Sequence, residues 1–332
     1  MIGHKQKMVD NNQIGDSSEQ VIRTVELSKT YPQMDVPAVD KLNLEVGKGE
    51  IFGLLGPNGA GKTTTAGMLT TRVIPTAGQA FIGGINVRKH PTLVKQLIGV
   101  VSQQNTLDRS LTVRENLYYH GLLFGMGVKE SARVADELLE KFHLGSWGKK
   151  SVFALSGGMA QRLMVARAIF HSPAVLFMDE PTAGLDPQSR LALWEILQGL
   201  NSEGQTILLT THYMEEADQL CNRVAIMDHG KILALDSPVN LKKSIGADAI
   251  LTVRVEGDPL GLIEVLKLSI DGVSASREIE GGVEIQVSET EKLLPRVINL
   301  AESNGISILD ISLAETTLET VFINLTGKEL RD

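Results

Sequence analysis

An apolar run, Ile51–Leu55, opens directly onto GPNGAGKTT at Gly56 to Thr64, and this junction leaves the chain few folds to choose from. A buried strand that ends in a glycine loop and then a helix can bring backbone N–H groups around an anion. A side chain at Gly56, Gly59 or Gly61 would block that approach or forbid the dihedrals it needs. Lys62 then reaches the β and γ phosphates of a nucleotide, and the Thr63 hydroxyl suits Mg²⁺. The helix that starts here adds its positive end to the same anion.

Further along, VLFMDEP at Val175 to Pro181 reads as a short buried strand ending in two carboxylates, where an α/β fold presents its ligands. Asp179 suits Mg²⁺ through its water shell, and Glu180 is the candidate general base. Taken alone the pair reads as a solvated acidic turn before Pro181. Gln103 ends the strand Ile98–Val101 and offers a neutral amide for Mg²⁺ or water, with Gln104 adjacent. His212 follows the strand TILLTT, and a lone histidine there usually reads as a surface or core residue. In LSGGM, Leu155 to Met159, Ser156 reads as the N-cap of a helix whose face carries Met159, Leu163, Ala166 and Phe170. A cap does not account for Gly157 and Gly158, which leave backbone donors for an anion.

With 32 basic and 40 acidic side chains the net charge is −8, a poor match for nucleic-acid phosphates, so nucleic acid is not expected as a main ligand. The single cysteine, Cys221, excludes an internal disulfide and a cysteine metal cluster. No stretch reaches the roughly 18 apolar residues of a membrane span. Polar Met1 to Gln20 predicts a disordered extension. Alternation at Leu42, Leu44 and Val46 predicts antiparallel strands, and Val113 to Phe142 predicts two helices. Near Gly246 the pattern changes to strand, helix, strand, a turn at Gly281–Gly282, strand, helix, strand, a ferredoxin-like order. A last helix follows, with a capping-box spacing at Thr316 and Glu319, an apolar face of Leu318, Val321, Phe322 and Leu325, and Gly327 as its stop.

Together, the phosphate loop, Gln103, LSGGM, Asp179–Glu180 and His212 resemble the ATP-binding subunit of an ABC transporter over most of the chain. The resemblance implies an α/β P-loop ATPase core with an antiparallel β subdomain and a helical subdomain, plus a small C-terminal α+β domain. The core spans 21–245, its helical part about 104–170, and the accessory domain 246–332. ATP and Mg²⁺ are the implied cofactors, with Asn58 and Thr64 joining the loop's contacts and His212 donating a hydrogen bond to the γ phosphate. Tyr31 matches the adenine-stacking aromatic, although a tyrosine before Pro32 also serves as a turn anchor. AGLD, Ala183 to Asp186, resembles the loop that touches a second ATPase subunit through Asp186, a position equally suited to starting a helix before Pro187.

In this family the LSGG segment closes over the γ phosphate held by the other subunit, and membrane permease subunits are moved at the cytoplasmic face. Met159 stands where glutamine is commonest. That change, and the tail TLETVFINLTGKELRD, are similar to ABC-2-type exporters of drugs, polysaccharides and nodulation factors. A soluble relative acting on ribosomes or DNA is the rival reading. Such proteins typically carry two motif sets or a long coiled coil, and this chain has one set and no sustained heptads.

Overall fold

The computed structural model describes residues 20–32, 34–245, 249–256, 259–269, 273–279, 281–287 and 293–327. The extension expected over Met1 to Gln20 lies outside them except for Gln20, which opens the first strand, and the boundary expected at Gly246 lies outside them too. Two compact units result: Met1–Glu50 with Thr64–Met178 and Thr182–Ile207, and Ile51–Thr63 with Asp179–Pro181 and Leu208–Asp332.

The chain opens with β1 (Gln20–Lys29), β2 (Val39–Gly47), β3 (Ile51–Leu55), α1 (Lys62–Leu69), β4 (Ala77–Ile82), β5 (Ile85–Asn86), α2 (Pro91–Leu97) and β6 (Ile98–Val101). Helices α3 (Val113–Leu123), α4 (Val128–Lys141) and α5 (Gly157–Ala168) follow, then β7 (Val175–Asp179), α6 (Pro187–Ser202) and β8 (Thr206–Thr211). Next come α7 (Met214–Leu220), β9 (Arg223–Asp228), β10 (Lys231–Asp236) and α8 (Pro238–Lys243). The last stretch holds β11 (Ala249–Glu256), α9 (Pro259–Ser269), β12 (Val273–Ile279), β13 (Gly282–Val287), α10 (Leu293–Ser303), β14 (Ser307–Glu315) and α11 (Leu318–Thr326).

In the first unit, β2-β1-β4-β5 form an antiparallel sheet. Leu42, Leu44 and Val46 alternate inward as their period-two spacing requires, and all three are buried. Strands β6 and β7 pair in parallel, and both are nearly continuous apolar runs, buried apart from exposed Val100 and half-buried Asp179. The two expected helices are α3 and α4. A capping box starts α3, with the Glu115 N–H donating to Thr112 Oγ1 and the Thr112 N–H to Glu115 Oε2. Arg114 of α3 then forks onto both oxygens of Asp136 in α4 at 2.6 and 2.8 Å. Helix α5 packs against α3, α4 and α6. On its expected face Leu163, Ala166 and Phe170 are buried and Met159 is half-buried.

In the second unit β9 separates β3, its parallel neighbour, from β10, its antiparallel one. The lone cysteine, Cys221, caps α7 at its C-terminal end, and its Sγ lies 2.7 Å from where a Cβ on Gly53 of β3 would stand. Burial raises this thiol well above its ordinary pKa, and Glu216 adds to the shift.

The C-terminal stretch has the strand order β12-β13-β11-β14, every pair antiparallel, which is the expected ferredoxin-like topology. Leu251, Val253 and Val255 meet Leu262 and Leu266 of α9 and Leu293 and Val297 of α10 in one core. Each such burial contributes roughly 1.5–3 kcal/mol. Helix α11 packs against α7 and α8. Its cap corrects the sequence expectation: Thr317, not Thr316, accepts the N–H of Thr320, and Thr316 is itself buried. Leu318, Val321 and Phe322 form its buried face, whereas Leu325 is exposed. Gly327 ends the helix in the left-handed conformation at φ 66°, as expected.

Candidate active site

The loop after β3 is held by backbone hydrogen bonds, one within it and two to neighbouring segments. Gly56 N–H donates to Thr211 O at 3.3 Å, Ala60 N–H to Pro57 O, and Gly230 N–H to Ala60 O. A Cβ on Gly56 would stand 2.2 Å from Met227 O, and Gly59 and Gly61 adopt φ of +83° and +101°. Glycine is therefore required at these turns. Asn58 lies in the same loop and is exposed. At the start of α1 the Lys62 ammonium donates to Gly56 O at 2.7 Å and Pro57 O at 3.0 Å. Only 4 % of Lys62 is exposed. Burial lowers its pKa, against the pull of Glu180 and Asp179.

Three elements bring the acidic pair to this cation. Glu180 Oε1 lies 3.8 Å from Lys62 Nζ. Asp179 Oδ1 accepts from Thr63 Oγ1 at 3.1 Å and from Thr210 Oγ1, at the end of β8, at 2.6 Å. Glu180 is a non-glycine residue at φ 48°, a strain of about 1–3 kcal/mol. Its N–H is held by both Thr210 O and Thr210 Oγ1 at 3.1 Å. His212 places Nδ1 3.3 Å from Glu180 Oε2 without a hydrogen bond. Its ring leans on that of Tyr213, centroid to centroid 4.1 Å. Phosphate loop, Asp179, Glu180 and His212 are thus gathered within one unit.

The donor set fits a nucleotide with its metal. Glycine backbone and a buried ammonium suit a polyphosphate. A threonine hydroxyl beside a carboxylate supplies the hard oxygens that Mg²⁺ selects.

Other expected residues belong to the first unit. Tyr31 OH lies 3.5 Å from Thr64 Oγ1, and Lys29 Nζ sits 5.0 Å from the Tyr31 ring centroid. Gln103 is exposed just beyond β6, next to a turn closed by Ser102 Oγ donating to Gln104 O. Ser156 caps α5 as expected, accepting the Met159 N–H at 3.3 Å. Gly157 is exposed, whereas a Cβ on Gly158 would meet Ser189 Oγ at 2.4 Å. Close packing of α5 on α6 thus requires one of the two glycines. Asp186 caps α6, accepting from Ser189 N–H at 2.9 Å. A hydrogen bond from the Ser189 side chain leads the causes that lower its pKa, and this backbone bond comes next.

Sequence reasoning missed Thr210. The available signal was weak: Thr210 is one of three threonines in the buried strand TILLTT, two residues before His212.

Comparison with known proteins gives one answer. The family model described as ABC transporter matches residues 39–183. Daunorubicin resistance ATP-binding protein DrrA2 of Streptomyces coeruleorubidus is 39 % identical over 92 % of this chain and 95 % of its own. Linearmycin resistance ATP-binding protein LnrL of Bacillus subtilis (strain 168) is 36 % identical over 94 % of this chain and 100 % of its own. Among solved structures, the dimeric post-hydrolysis state of the ATP-binding cassette MJ0796, bound to ADP and Pi, superposes with a TM-score of 0.59 at 28 % identity. It covers 65 % of this chain and 98 % of that one. Identity of this order, sustained over more than nine-tenths of the chain, is inherited: the chain belongs to the ABC transporter family, as a subunit that binds ATP with Mg²⁺ and hydrolyses it.

Proposed function

We propose that this chain is the ATP-driven motor of an ABC-2-type exporter. It works as a pair with a second copy or a close relative, and membrane permease subunits carry the cargo across. Names of relatives support export: two are drug-resistance ATP-binding proteins, and a Rhizobium sp. (strain N33) relative, 40 % identical over 89 % of this chain, is Nod factor export ATP-binding protein I. None of the helices among the described residues is long and apolar enough to cross a membrane, consistent with a motor held at the cytoplasmic face through its permeases.

On this reading the phosphate loop, from Gly56 through Asn58, Gly59, Gly61 and Lys62 to Thr64, wraps the β and γ phosphates, and Tyr31 stacks on the adenine. Thr63 and Asp179 would hold Mg²⁺, joined by Gln103, and its charge offsets that of the phosphates. Glu180 takes a proton from the attacking water as the new P–O bond forms, while the bond to the β,γ-bridging oxygen breaks to give ADP and phosphate. His212 donates a hydrogen bond to the γ phosphate. Ser156, Gly157 and Gly158 of the partner close over that phosphate, and Asp186 touches the partner. ATP drives closure because these contacts exist only in the closed pair. Residues 246–332 form an accessory domain whose last helix bears on the motor.

The observation that carries the reading is Glu180 beside Lys62, at the edge of a glycine cradle. The test is Glu180→Gln. Turnover should fall by roughly 10² to 10⁴ while ATP still binds and a closed dimer accumulates in size-exclusion chromatography. Rapid turnover by this variant overturns the base assignment.

A further inference from the structure

We propose that Thr210 is a positioning residue for hydrolysis, a single hydroxyl that sets both members of the acidic pair. The inference rests on the roles given above to Asp179 and Glu180. Thr210 is completely buried, the penultimate residue of the buried strand β8. Its Oγ1 donates to Asp179 Oδ1 at 2.6 Å and accepts the Glu180 N–H at 3.1 Å. A hydroxyl has one proton to give. With that proton on the Asp179 carboxylate, only oxygen lone pairs remain for Glu180, so the pattern has one polarity and one arrangement.

Two consequences follow. The same Asp179 oxygen accepts from Thr63 at 3.1 Å, so two hydroxyls on different elements pin one carboxylate oxygen and fix how the group is turned. Charge-assisted bonds of this kind are the strong ones. Meanwhile the Glu180 N–H is shared between the carbonyl and the hydroxyl of Thr210, which clamps a backbone that stands at φ 48°. The Glu180 side chain therefore leaves the backbone in a fixed direction, toward Lys62 and His212.

Valine has nearly the shape of threonine and suits a buried strand, so Thr210→Val removes the hydroxyl while keeping the strand. In the full-length protein its turnover at saturating ATP should fall by at least about tenfold, since small misplacements of reacting groups can cost up to about 10². The Mg²⁺ concentration for half-maximal turnover should rise severalfold. ATP affinity measured in EDTA should stay at the wild-type value, and the extra thermal stabilisation that Mg²⁺ adds to ATP should shrink. Thr210→Ser should restore all of these, a rescue that a purely packing role would not give.

Wild-type turnover and Mg²⁺ requirement in a folded Thr210→Val overturn the proposal, as does a Thr210→Ser variant as slow as Thr210→Val. If the valine variant does not fold, Thr210→Ala against Thr210→Ser makes the same comparison. Failure of the underlying reading is distinguishable: it shows as rapid turnover in Glu180→Gln, while the Mg²⁺-dependent thermal shift still judges the bond to Asp179.

Discussion

Around Lys62, the key side chains of the phosphate-loop region are tied into the fold itself. The ammonium is almost wholly buried on two loop carbonyls, and two hydroxyls converge on Asp179. The LSGGM segment is built the other way: Ser156 and Gly157 are exposed, and Ser156 accepts one N–H, that of Met159, at 3.3 Å. The N–H groups of Gly157 and Gly158 stand in the first turn of a helix, where no intrahelical acceptor exists. A region locked by its own bonds is preorganised before ligand arrives, at the cost of a strained Glu180 backbone. An exposed helix start with spare donors gains most when an anion is brought to it by another molecule.

That contrast can be broken in solution. If each site combines the Lys62 region of one chain with the LSGGM segment of another, Lys62→Ala and Ser156→Arg are each inactive alone, with turnover down by at least about 10²-fold. Mixing the two should recover turnover, because a mixed pair contains one intact site. Inactivity of every mixture, with mixed pairs confirmed by affinity pull-down, removes the shared site.

The two glycines sharpen it further. Gly158→Ala forces a Cβ onto Ser189, so stability should fall by about 1–3 kcal/mol in urea titration. Gly157 has open space, with Leu185 the nearest side chain at 3.8 Å, so alanine there should leave the urea midpoint nearly unchanged. Equal losses from both would mean that packing does not separate them.

Acid sensitivity enters through the helical segment that carries LSGGM. His120 on α3 sits against Phe124 and Phe170, and burial lowers its pKa to about 4, with Arg167 and His171 adding to the shift. The unfolded chain takes a proton near the ordinary imidazole value of 6.5 that the folded protein refuses. Stability from the neutral ring is therefore complete above that pH and is lost as pH falls from 6.5 toward about 4. His120→Phe should flatten this decline in urea midpoints measured across the window. An unchanged slope would place the acid sensitivity elsewhere.

Much of this architecture was readable because certain patterns admit few solutions. The apolar run into a glycine loop gives β3, the apolar run into two carboxylates gives β7, and the βαββαβ order gives the C-terminal sheet. What escaped the sequence depends on which atoms meet across the fold. A cap at Thr316 and one at Thr317 differ by a single residue in a threonine doublet, and burial of Thr316 decides for its neighbour. Thr210 looked like one more strand residue until the end of β8 brought it to Asp179. Gly158 suits an anion through its backbone N–H, yet the sequence does not say which neighbour comes close, and Ser189 of α6 also forbids a side chain there. Leu325 kept the helical period of its neighbours and still faces solvent.

Cys221, shut against Gly53, gives the molecule a built-in stopwatch. Its thiol is both inaccessible and hard to ionise, so alkylating reagents must wait until α7 parts from β3. With no second sulfhydryl in the chain to confuse the signal, the labelling rate counts openings of the strand that feeds the phosphate loop.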